Sequence, residues 1–280
     1  MTERWEVSPR YPGVAATMVE VWQHRGLLRF VGDRALRKMY RRTVLGWLWL
    51  FINPLFPLAL RALVFGALLG VGSDGLPYFL FLVAGTVVWE VFATSLMWGT
   101  RALEMNRDLY GQVYHPRAIL PLGNMTPSLL NLALKVGVFA LALAYYTVRD
   151  GRVYLRGDGG LLLAVGALLL AFLFALGLAF FTSILGERTR DMRFALGGLM
   201  GVWYLLTPVM YPLSQVPAEY RNWMLLNPLA IIVETFKWGL FGAGEFYGAA
   251  LLGTAAGVFL LLLTGLTYFT SREARVVAER

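Results

Sequence analysis

With 280 residues, 58% of them hydrophobic and only 15% charged, the chain carries far fewer charges than the roughly 25% of an ordinary soluble domain. So much apolar side chain exceeds what one soluble core can hide, and the absence of cysteine excludes disulfides, thiolate-bound zinc and thiol catalysis. The net charge of +8 does not point to nucleic acid, because the basic residues cluster between apolar runs, the pattern that orients a protein in a bilayer.

Residues 1–43 are polar, with no stretch resembling a cleavable signal, so the first span is expected to act as the targeting signal. Within them, Leu28, Val31, Ala35 and Met39 form one helical stripe, and Arg34, Lys38 and Arg42 form another beside Arg37 and Arg41. That pattern predicts a basic amphipathic helix on the cytoplasmic membrane surface, either an anchor to anionic lipid or a platform for a partner.

A transmembrane domain is predicted over 44–270, since a crossing needs about 20 mostly apolar residues and such runs recur throughout. Spans one to six are expected at 44–70, 77–99, 119–148, 160–185, 194–210 and 248–270, followed by a charged tail, 271–280. Between spans five and six, the segment 211–247 is mixed: Leu229 to Val233 is apolar, but Glu234 and Lys237 interrupt it. A short external re-entrant or interfacial hairpin is therefore expected there rather than a crossing. The predicted class is all-α and polytopic. If the N-terminus is cytoplasmic, 18 of the 25 Lys and Arg residues fall on the inside and 5 on the outside, which places both termini in the cytoplasm.

Three charges fall inside expected spans: Arg61, Glu90 and Lys135. Each costs roughly 2.5 to 3.5 kcal/mol at the bilayer centre on insertion scales, so each needs a partner or water. At about 1.5 Å per residue, Glu90 and Lys135 lie at about 20 and about 18 Å from the outer face, which predicts an ion pair between spans two and three. Arg61 sits shallower, where it could meet water, Glu90 or a substrate phosphate. Trp203, Tyr204, Tyr211, Tyr220 and Trp223 crowd the outer half of span five and the region beyond it. Trp and Tyr near membrane ends ordinarily form an interfacial belt. The seven-residue spacing of Tyr204 and Tyr211 puts them on one face if the helix persists past Pro208.

Three motifs stand in order along the chain: Tyr40-Arg41-Arg42-Thr43-Val44-Leu45-Gly46-Trp47-Leu48-Trp49 followed by Asn53-Pro54-Leu55; Gly186-Glu187-Arg188-Thr189-Arg190-Asp191-Met192 leading to Thr207-Pro208-Val209-Met210-Tyr211; and Leu226-Asn227-Pro228-Leu229. Together they resemble the permeases of ABC-2 type transporters that export O-antigen, capsule and teichoic acid polymers. The resemblance covers nearly the whole chain, though the turn after span four has Thr189 before Arg190-Asp191 where the family pattern has an aromatic. It implies a homodimer on two ATPase subunits in the inner membrane, moving a lipid-linked polysaccharide. No Gly-x-x-x-x-Gly-Lys-Ser/Thr loop is present. ATP and Mg are therefore expected on the partner, and no catalytic residue, cofactor or metal on this chain.

The resemblance also implies that ATPase contacts come from the basic helix (Arg34, Arg37, Lys38, Arg41) and from the loop between spans two and three, where Glu104, Arg107, Asp108 and Tyr110 stand among bulky apolar residues. An ordinary solvated loop is the alternative. Trp203, Tyr204, Tyr211 and Arg61 become candidates to line the polymer's path. A drug or small-lipid exporter would share this architecture. A membrane enzyme acting on lipid phosphates or glycolipids would instead want converging His, Asp or Glu, and the only histidines, His24 and His115, lie far apart.

Overall fold

A computed structural model describes residues 14–40, 48–109, 117–189 and 191–278. Among these residues every regular element is helical. The order is α1 (Val14–Gln23), α2 (Arg25–Tyr40), α3 (Trp49–Arg61) running on into a π-helical turn (Ala62–Leu68), α4 (Tyr78–Thr100), α5 (Ala102–Met105), α6 (Ile119–Asn124), α7 (Thr126–Asp150), α8 (Gly160–Arg188), α9 (Asp191–Leu205), α10 (Ala218–Leu225), α11 (Pro228–Phe241) and α12 (Gly248–Ala278).

Four segments are long and apolar enough to cross a membrane: α4, the α6–α7 run over 119–150, α8 and α12. The expected first and fifth spans are represented by shorter helices. In α3 the prolines Pro54 and Pro57 each remove a backbone donor, and the apolar stretch that contains them and runs on through the π-helical turn covers only Pro54–Leu68. α9 ends at Leu205 rather than near Met210. Pro208 has no N–H to continue it and biases Thr207 away from helical backbone.

α4 is the axis of the bundle: 78% of its spanning window is buried, against 17% for α7 and α12, which form the outside. Both α4 and α8 are apolar around their whole circumference: α4 because protein packs around it, and α8 because the face not covered by helices meets lipid. α8 lies between α4, α11 and α12. Small residues and hydroxyls tie these helices, as expected where lipid supplies no hydrophobic drive between them. A Cβ on Gly265 of α12 would stand 2.6 Å from the Gly177 carbonyl oxygen of α8, so the two backbones touch. The Ser95 hydroxyl donates to Ser128 at 2.8 Å between α4 and α7, and Thr100 and Thr182 share a 2.7 Å bond between α4 and α8.

Where a hairpin is expected before the last span, α10 and α11 meet at 100°, a bend that fits either a re-entrant pair or one broken span. α11 is buried along nearly its whole length. Asn227 caps its start, accepting from the Leu229 N–H at 3.1 Å with Pro228 at the first helical position. Gly242, at φ 67°, ends it by donating back to the Trp238 carbonyl.

The apolar stripe of α2, read as resting on lipid, is in part covered by protein. Val31 and Ala35 are buried, and α2 packs on α6 and α7. The amphipathic helix is thus packed into one end of the bundle.

Candidate functional site

The loop after α4 holds the densest set of charges at this end. Glu104 lies in α5, and Arg107 and Asp108 lie in a 3-10 turn (Arg107–Leu109) just beyond it. Between them Asn106 is buried and donates to the Ala102 carbonyl at 2.8 Å, which fixes the turn.

Each loop charge reaches a different helix. Asp108 pairs with Arg34 of α2. Arg107 grips Glu187 at the end of α8 through Nε at 2.8 Å and Nη2 at 3.2 Å. Glu104 meets Arg193 in the first turns of α9 at 2.7 Å. From α2, Lys38 also donates to the Met105 carbonyl. The Arg34 hydrogen bond is the main cause holding the Asp108 carboxyl below its ordinary range. Its folded value being depressed, that contact is fully present above the unfolded pKa and is lost as pH falls through the folded one. Arg37 is exposed and, with Phe30, Asp33, Arg34 and Lys38, lines a hollow of about 410 Å³. Tyr110 and Arg41, expected to belong to this face, lie outside the described residues.

The charges inside the spans find partners. Glu90 and Lys135 form the expected pair at 3.9 Å. Lys135 also donates to the Pro54 carbonyl at 3.2 Å, an acceptor in the proline-interrupted α3. The Arg61 guanidinium lies 4.6 Å from the Tyr204 ring centroid rather than on a carboxylate. Lys135→Met should therefore destabilise the chain by about 2 kcal/mol, below the usual range for a broken buried pair because Glu90 is partly exposed. Adding Glu90→Gln should recover about half, since the Pro54 carbonyl stays unpaired. Melting of the purified single and double variants checks this, and full recovery would remove the carbonyl from the account.

The aromatics of span five do not share one face. Because α9 stops at Leu205, the helical spacing of Tyr204 and Tyr211 does not apply. Trp203 packs between Phe92 and Phe174, at 5.2 and 5.9 Å between ring centroids. Tyr204 is buried, edge-on to Trp89 at 5.1 Å. Tyr211 donates its hydroxyl hydrogen to the Leu205 carbonyl at 2.7 Å, satisfying the frayed end of α9.

Three residues named in the sequence but given no site role there carry contacts of their own. The Lys237 ammonium donates to Glu234 at 3.1 Å and to the Pro208 carbonyl at 2.5 Å, and sits 3.8 Å from the Phe81 ring centroid. Asn227 accepts from Trp203 Nε1 at 3.0 Å and donates to the Leu206 carbonyl and the Thr207 hydroxyl, each at 3.1 Å. The signal for the first two was present: a Glu and a Lys three apart in an apolar helix share a face.

The family profile described as ABC-2 type transporter matches residues 26–241. The chain is 29% identical to the O-antigen export system permease protein RfbA of Myxococcus xanthus, over 91% of this chain and 95% of that one. A Klebsiella pneumoniae protein of the same name is 27% identical, over 89% and 93%. The polysialic acid transport protein KpsM of Escherichia coli is 24% identical, over 88% and 93%.

Proposed function

Because the chain belongs to the ABC-2 type transporter family, we propose that it is the membrane permease of an exporter that moves a lipid-linked polysaccharide across the inner membrane. The observation that carries the substrate class is the alignment, along nearly the whole chain, with relatives named for O-antigen export and polysialic acid transport. In this reading the chain forms a homodimer on two separate ATPase subunits, which bind ATP and Mg. It crosses the membrane six times, α3 with its π-helical turn and α9 being the short crossings, and keeps both termini in the cytoplasm. The excess of Lys and Arg on that side supports the orientation.

The ATPase docks on the face made by α2 and the loop after α4, where Arg34, Arg37, Lys38, Glu104, Arg107 and Asp108 gather. The polymer passes Arg61 and Tyr204, with Trp203 and Tyr211 framing the outer end. Arg61, partly exposed beside the buried Tyr204 ring, supports this path, since its guanidinium can meet a phosphate of the polymer.

The deciding experiment removes the chain from its host. Lipid-linked polymer should accumulate inside while the surface loses it. A normal surface coat together with lost efflux of a small lipid or drug would overturn the polymer reading. Asp108→Arg, which sets like charges beside Arg34 and Lys38, should cut co-purification of the ATPase by about tenfold, equivalent to about 1.4 kcal/mol. Unchanged co-purification would take Asp108 out of the docking face.

A further inference from the structure

The three loop pairs differ in how firmly they hold. Asp108 keeps 56% of its side chain exposed, so its contact with Arg34 is hydrated and can open cheaply. Glu187 keeps 2%, and both its oxygens accept from the one guanidinium of Arg107. Parting them would break a two-point, charge-assisted contact at a buried carboxylate, so the two side chains move together. Glu104 and Arg193 are intermediate, with roughly a quarter of each side chain exposed.

Glu187 and Arg193 stand on either side of the turn that joins α8 to α9. The loop therefore holds this turn from both sides, while α8 beyond it is anchored in the bundle. α9 touches the bundle chiefly through α4 and α8 and, in the single chain, leaves Phe194, Leu199, Val202 and Leu205 exposed. At its far end it is tied through Trp203 and the Leu206 carbonyl to Asn227. Among the helices that the loop grips, α9 is held by the least packing, so a displacement of the loop is delivered there.

We propose that Arg107–Glu187 and Glu104–Arg193 form a mechanical link that transmits movement of the loop after α4 into α9, making Glu187 and Arg193 positioning residues for transport. This rests on the exporter reading, because it needs an ATPase that moves the loop. Asp108 and Arg34 then serve docking, whereas Glu187 and Arg193 serve transmission, and the two roles separate in the measurement.

The test uses the whole complex of this chain with its ATPase subunits in vesicles loaded with the lipid-linked polymer. Glu187→Gln and Arg193→Gln should keep the ATPase bound and hydrolysis within about twofold, while polymer moved per ATP falls at least about tenfold. Because Glu104 also lies on the docking face, the inverted pair Glu104→Arg/Arg193→Glu is read per complex that holds the ATPase; there polymer moved per ATP should return to within about threefold of wild type, although each single inversion is uncoupled. That rescue separates a positional role from simple loss of folding. Undiminished export per ATP in both glutamine variants overturns the link, and so does an assembled inverted pair that transports no better than its singles. If the wild-type chain holds no ATPase at all, the exporter reading itself fails, an outcome visible before any variant is made.

Discussion

Replacing Lys237 with methionine should destabilise the protein by about 3 to 5 kcal/mol, the usual result of removing one partner from a buried ion pair. Methionine fills a similar volume and packs well against the Phe81 ring, so the loss is electrostatic rather than steric. It strands the Glu234 carboxylate, itself buried, and leaves the Pro208 carbonyl without its donor. That carbonyl lies just past the end of α9, where no helical N–H can reach it. Lys237→Met combined with Glu234→Gln should regain most of the loss, leaving about 1 to 2 kcal/mol for the orphaned carbonyl. Thermal unfolding in detergent reads both. A double variant that melts below the single one would show that Lys237 and Glu234 are not energetically paired.

Asn227→Leu should cost about 3 kcal/mol, although the side chains are alike in size, because several polar groups lose their partner at once. The Trp203 indole N–H and the Leu229 N–H lose their acceptor, and the Leu206 carbonyl and the Thr207 hydroxyl lose their donor. Trp203→Phe removes one of these bonds and keeps an aromatic ring between Phe92 and Phe174. It should cost only about 1 kcal/mol. Melting of the two variants compares them directly. If Trp203→Phe is as damaging as Asn227→Leu, the aromatic packing rather than the amide holds this corner.

What could be read from the sequence follows from what each signal measures. Length and uniform apolarity located α4, α8 and α12, because crossing a bilayer demands both. The matched depths of Glu90 and Lys135 predicted their pair. The same apolarity could not say that Lys237 is buried, since a buried helix and an interfacial one read alike over so short a run. The stop of α9 at Leu205 was missed by several residues. Pro208 was visible, but Tyr211 and Asn227, which take up the freed backbone groups, satisfy them only in three dimensions. Arg107 and Glu187 are 80 residues apart, and no spacing rule joins them. The burial of Glu187 was illegible for the same reason: in the sequence it looks like one more solvated charge.

The contact between Gly177 and Gly265 also bears on how the protein responds to temperature. Soluble cores loosen on cooling because the aqueous drive that assembles them fades. Where α8 crosses α12, two backbones meet without side chains between them, surrounded by hydrocarbon in both the associated and the separated state. The attraction there is dispersion between closely fitted atoms, which is enthalpic and does not wane in the cold. This crossing should therefore tighten at low temperature, and the cold-labile part of the molecule should be the end of the bundle where α2 buries Val31 and Ala35.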